Sequence, residues 1–160
     1  MAKKQNIEEF LFDKVNQIAG ELAISISTRK LIATGELLKS IQVFRRNEGR
    51  EVVVGVTARK YLGALEFGRK PTKRSQGGVL YKAIVKWLKA KGLSKKLNAW
   101  AVTNKIHKEG IKVPNKFNRG GVVSSVITQE KVNLLRKEVN QKFKQTIKEA
   151  FSEVLRKKVF

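Results

Sequence analysis

The residue pattern predicts an α+β fold: a small antiparallel sheet of about three strands, packed with long N- and C-terminal helices and short middle helices. Three observations carry this. Apolar residues recur at helical spacing near both ends of the chain. Two β-prone runs joined by a turn lie in the first half. Short periodic segments punctuated by glycine fill the middle.

Ile7, Leu11, Val15, Ile18, Leu22 and Ile26 recur at steps of three and four, which predicts a helix over residues 5–28. Gly20 within it either weakens the helix or permits the close approach of another element. Thr34 is an N-cap candidate before Gly35 and a short turn through Leu37 and Leu38. Residues 40–46 and 51–57 are β-prone, and Asn47-Glu48-Gly49 is a hairpin turn signal, with Gly49 free to take a positive φ. Val52 to Val56 is apolar at nearly every position, which predicts a central strand buried on both faces.

Residues 59–67 read as a short helix, ended by Gly68 with Pro71 blocking continuation. Residues 71–78 have the composition of a mobile basic loop. Leu80, Ile84, Val85 and Leu88 mark the next helix. Ser94 is the cap expected for another, with Leu97, Ala101, Val102 and Ile106 inward and Gly110 past its end. Residues 111–121 form a second loop, and Val122 to Thr128 reads as a third strand. Val132, Leu135, Val139, Phe143, Ile147, Phe151 and Leu155 form the stripe of a long last helix. Both terminal stripes are long for so small a sheet. They imply packing of the two helices on each other and contact with a neighbouring subunit.

At 160 residues the chain is the size of one domain (1–160), divided into the N-terminal helix (5–28), a hairpin region (34–58), a basic middle region (59–121) and a strand with the C-terminal helix (122–160). No apolar run approaches the ~20 residues of a membrane-spanning helix, and the first residues lack the pattern of a signal peptide. These features point to synthesis in a cytoplasm and no membrane partner. With no cysteine there are no disulfides and no thiolate metal sites.

The net charge of +22 implies attraction to polyanions, nucleic acid first and an acidic protein second. It is concentrated: 17 Lys and Arg stand against two acids, Glu66 and Glu109, between Arg59 and Arg119. Catalysis lacks support. His107 is the only histidine and reads as structural. The acids are scattered, and no phosphate-loop, zinc-protease or serine-nucleophile motif occurs. No cofactor is expected. Trp87 and Trp100 read as core or interface residues.

Two phrases remain. The first is Thr34-Gly35-Glu36-Leu37-Leu38-Lys39-Ser40-Ile41, and the second, beyond the β-prone runs, is Tyr61-Leu62-Gly63-Ala64-Leu65-Glu66-Phe67-Gly68. Their order and spacing resemble the small neck, tail-completion and head-tail joining proteins of tailed bacteriophages. The resemblance rests on Thr34, Gly35, Leu37, Ser40 and Ile41, then Tyr61, Glu66, Phe67 and Gly68, and more loosely on Ile106, Gly110, Pro114 and Phe117. It spans roughly residues 5–120. It implies a structural virion protein that forms a homo-oligomeric ring around the DNA path. Its partners would be portal or adaptor proteins, tail proteins and packaged DNA. A non-sequence-specific DNA-binding protein of nucleoid or regulator type is the alternative.

The motif residues admit a purely structural reading, with Gly35 and Gly68 as turn glycines and Tyr61 and Phe67 as core aromatics. Glu66 pairs either with Arg69 or Lys70 nearby or with a basic residue of the next subunit, setting ring register. Arg69, Lys70, Lys73 and Arg74 flank a flexible loop, and Lys82, Lys86 and Lys89 share one helix face. These cations line a DNA channel, dock onto an acidic ring, or form a solvated face.

Overall fold

A computed structural model describes residues 2–49, 51–73 and 78–157. The protein is α+β, in the order α1 (Ala2–Thr28), α2 (Glu36–Lys39), β1 (Gln42–Glu48), β2 (Glu51–Thr57), α3 (Tyr61–Phe67), α4 (Val79–Ala90), α5 (Ala99–Glu109) and α6 (Gln129–Lys157). Long helices stand at both ends, as the periodicity predicts.

The core forms where the C-terminal half of α1 meets α2 and the segment before α6. Leu22, Ile26, Leu37 and Val122 are buried there, ringed by Leu31, Ile32, Leu38, Ile41, Leu62 and Leu65. Steps of four along α1 put Leu22 and Ile26 on one side of the helix, which is why the apolar period finds the core. A second packing unit is α4 against α5, with Leu88 and Thr103 buried.

The sheet has two strands, not three. β1 and β2 form an antiparallel hairpin from Gln42 opposite Thr57 to Glu48 opposite Glu51, turning at Gly49 with φ 62°. Val43, Arg45 and Asn47 share one face with Val52, Val54 and Val56, because directly opposed residues point the same way. Arg45 lies 4.0 Å from Glu8 of α1, so that face looks onto α1. On the other face the Phe44 ring lies over Gly55, where an added Cβ would come within 2.8 Å of it. β2 is therefore half-buried and at an edge, rather than central and covered on both faces.

The expected third strand, Val122 to Thr128, is a helical turn. The amides of Ser125 and Ile127 donate to the carbonyls of Gly121 and Val123, each four residues back. Its apolar residues sit at positions 122, 123, 126 and 127, a helix-like pattern in β-branched residues. Val122 and Val126 are the buried pair. Two positive-φ glycines in succession, Gly120 and Gly121, break any extended approach to it.

Asn98, not Ser94, caps α5: its Oδ1 accepts from the amides of Trp100 and Ala101 at 2.9 and 3.2 Å. Residues 94–97 instead fold back on Leu93, whose carbonyl accepts from Lys96 and Leu97. Leu97 and Ala101 are consequently exposed, and Thr103 takes the buried position.

α6 lies antiparallel on α1. Lys131 pairs with Glu21, and Lys14 pairs with Glu138 at 2.7 Å, so moving back along α1 moves forward along α6. The hydrogen bond from Lys131 holds the Glu21 carboxyl below its ordinary range. Val132, Leu135, Val139, Lys142, Thr146 and Ala150 are half-buried along α6, near the 3.5-residue spacing of a two-helix seam. The apolar stripe departs from that seam. From Leu135 it advances in steps of four, each turning about 40° further around the helix. Phe143, Ile147, Phe151 and Leu155 are therefore exposed, while Lys142, Thr146 and Ala150 hold the half-buried positions.

Candidate assembly surface and basic face

The two motif phrases meet in space. Ser40 Oγ donates to the Leu37 carbonyl at 2.7 Å and accepts from the Arg59 amide at 3.0 Å, tying the end of α2 to the start of α3. The Glu36 carboxylate lies 2.7 Å from the Arg59 guanidinium and 3.9 Å from Lys86. Gly35 occupies the N-cap position of α2 at φ 72°, and the Thr34 hydroxyl accepts from the Glu36 amide at 3.4 Å. Leu37 is buried and Ile41 packs beside it. Partial burial raises the Tyr61 phenol above its ordinary value, with Arg59 opposing, Glu36 adding, and the Leu37 backbone in hydrogen-bond contact.

Glu66 is an internal clamp, neither paired with Arg69 or Lys70 nor open to a neighbouring subunit. Its residue is 8% exposed, and its carboxylate accepts from the amides of Val123 and Ser124 at 2.8 and 3.2 Å. Amides at the start of a helical turn lack partners within the turn, so an acid from α3 can satisfy them. Burial works against the charged form. The amide donors, led by Val123, outweigh it and hold the pKa below the ordinary value.

The same turn is gripped from the end of α1 and the residue just past it. Arg29 donates to the Gly120 carbonyl and, at 2.9 Å, to Ser125 Oγ; Ser25 Oγ donates to the Val122 carbonyl at 3.1 Å. Asn118 Nδ2 donates to the Leu65 carbonyl at 2.7 Å. Sequence reasoning missed Ser25, Arg29 and Asn118, and placed Val122 in a strand. The Gly120-Gly121 doublet was the available signal, since adjacent glycines mark a backbone path that side chains would obstruct.

Gly68 and Gly110 make a matched crossing. Arg69 and Ile111 exchange two backbone hydrogen bonds of 2.8 and 2.7 Å. A Cβ at Gly68 would lie 2.2 Å from the Ile111 oxygen, and one at Gly110 would lie 2.1 Å from the Arg69 oxygen. Glycine at both positions lets the two backbones touch, and both have positive φ. The crossing ties the base of the α4–α5 unit to α3. Thr72 adds to it, its amide donating to the His107 carbonyl and its hydroxyl lying 2.8 Å from His107 Nδ1.

Tyr61 and Phe67 are not core aromatics. Tyr61 is partly exposed and Phe67 is 82% exposed, as is Phe117 at 84%. In the short helix α3 the core-facing positions are taken by Leu62, Leu65 and Glu66, which leaves Phe67 outward. Trp87 and Trp100 are also at the surface.

Lys82, Lys86 and Lys89 fall within about 60° of one another around α4 and all are exposed. Lys86 leans weakly toward Glu36, while no acid among the described residues pairs with Lys82 or Lys89. Lys91 serves structure: its Nζ donates to the Ile32 carbonyl at 2.7 Å and anchors the end of α4 to the core. Lys70 and Lys73 are exposed, Arg69 is held in the glycine crossing, and Arg74 lies outside the described residues.

Among the described residues no three of His, Cys, Asp and Glu gather to hold a metal ion, and no helix is long and apolar enough to cross a membrane. Comparison with protein-family models, with curated proteins and with solved structures returns no match for this chain.

Proposed function

We propose that this chain is a structural virion protein of a tailed phage. It assembles into a homo-oligomeric ring at the head-tail neck or the top of the tail, around the DNA path, and completes or joins the tail. Portal or adaptor proteins lie on one side, tail proteins on the other, and packaged DNA passes non-specifically through. Its chemistry is shape and charge, not catalysis.

The observation that carries this reading is the junction of the two phrases. Residues that lie apart in sequence, and that together resemble the neck proteins, are brought together: Ser40 and Glu36 of the first phrase bind Arg59, two residues ahead of the second, and Leu37 shares a core with Leu62 and Leu65. The apolar surface left over is consistent with assembly: Phe67, Phe117 and the outer stripe of α6 are exposed beyond what scattered surface residues require. The exposed lysines of α4 suit phosphate contacts that exchange readily.

Native mass spectrometry of the purified protein in high salt, alongside negative-stain images, tests the reading. Closed rings of one size are the expected result. A stable monomer or dimer that binds duplex DNA tightly would favour the alternative, a non-sequence-specific DNA-binding protein, for which the net charge of +22 is the favouring observation.

A further inference from the structure

We propose that the outer edge of β2 pairs, antiparallel, with the outer edge of β1 in a second copy of this chain, placing Glu51 opposite the partner's Arg46. This deepens the assembly reading and rests on it.

An isolated two-stranded hairpin is marginal, and an open edge must be guarded or used. Neither outer edge of this hairpin makes a backbone hydrogen bond to another described segment. The two edges differ. β1 carries Arg45, Arg46 and Glu48, all exposed. β2 reads Glu-Val-Val-Val-Gly-Val-Thr: seven extended residues with no proline and no charge after Glu51. A long apolar edge of this kind is a template for another strand.

The strand that fits is β1 of another copy, and the register decides it. Neighbouring copies in a ring keep α1 on the same side of the sheet. Slips of one residue are therefore excluded, since they turn every side chain to the wrong face. Three registers near full overlap remain. Repeating the hairpin's own register sets Glu51 against the partner's Glu48, two like charges. Slipping two residues one way sets Val53 against Glu48, Gly55 against Arg46 and Val56 against Arg45 of the partner subunit. Slipping two the other way sets Glu51 against Arg46, Val53 against Phe44 and Val54 against Val43 of the partner subunit. That register joins opposite charges, an aromatic with a β-branched residue, and two valines on the α1 side. Arg46 already holds Glu48 of its own strand at 2.6 Å and would lie between two carboxylates.

The contact is heterologous: each copy offers a β2 edge and a β1 edge, so copies add in one direction and close if the rotation allows. The two-residue offset recurs at every junction. Such a stagger tilts the strands, as a closed ring of strands requires.

The chain contains no cysteine, so single cysteines report on pairing directly. Arg46→Cys and Glu51→Cys are made as separate proteins, both at exposed positions, then mixed under mild oxidation. The control mixes Glu48→Cys with Glu51→Cys. The expected result is a disulfide between the 46 and 51 variants forming about tenfold faster than the control, since cysteines more than about 7 Å apart between Cα atoms do not bridge without movement. Charge reversal gives a second readout that misfolding cannot mimic. At low salt Glu51→Arg weakens self-association, and the double variant Arg46→Glu/Glu51→Arg restores it. Equal cross-linking in the two mixtures, or none, overturns the edge pairing. If native mass spectrometry then still shows closed oligomers, assembly stands and runs through another surface. If it shows monomer only, the assembly reading falls as well.

Discussion

At Glu66 two opposing effects act on one carboxyl group. Burial resists its charge, and the amides of Val123 and Ser124 reward it more strongly, so its folded pKa lies below the unfolded value near 4.5. A depressed carboxyl contributes stability that is fully present above the unfolded pKa and is lost as pH falls through the folded one. Glu66→Gln should therefore cost about 1–3 kcal/mol at pH 7, because buried amides lose a charged acceptor. The gap between the variant and the parent should narrow on acidification below about pH 4.5. Urea melts at pH 7 and pH 3 measure both; a gap independent of pH would mean that the charge is not what holds the turn. The sequence marks Glu66 as a lone acid in a basic stretch. Its partners are amides 57 and 58 residues away, which no local pattern can name.

At the scale of elements, α1 and α6 show how period and packing part company. Their periodicity locates both helices. Which side of α6 is covered depends on the seam with α1, and a seam near 3.5 residues cannot follow a stripe that advances by fours. Within α1, Gly20 has no neighbour within 4 Å of where a Cβ would stand, and it is exposed. The close-approach alternative for this glycine thus has no structural counterpart among the described residues. Gly20→Ala should raise stability by about 0.5–1 kcal/mol through helix propensity and the unfolded chain. Thermal melts of the variant check this, and a destabilised variant would reveal a contact at Gly20 made only in an assembly. The hairpin teaches the complementary lesson: its valines specify extended backbone but not how many strands lie beside them.

For the whole molecule, charge is the property that acts at a distance. Lys82, Lys86 and Lys89 present one exposed face of α4. If that face meets DNA phosphates, replacing all three by alanine should reduce the slope of log K against log salt by up to about 3, at roughly 0.9 for each phosphate no longer neutralised. Folding should be unchanged, since none is buried. Duplex binding titrated across salt concentrations decides it, and an unaltered slope would move the polyanion site elsewhere on the basic middle region.

The local content of this protein is written in its residues: helices from apolar period, the hairpin from β-branched runs around Gly49, the helix end at Gly68, and the concentration of cations in the middle. Each depends on neighbours a few positions away, where backbone sterics and side-chain spacing act directly. Tertiary structure alone decided the rest. It made Val122 to Thr128 a turn by supplying Glu66, Ser25 and Arg29 from distant segments. It left β2 at an edge and turned Phe67 outward. It also brought the two phrases together, binding Ser40 to Arg59 just ahead of the second and packing Leu37 with Leu62 and Leu65. These outcomes turn on which groups satisfy buried amides and which faces are covered, and both are set by residues far apart along the chain.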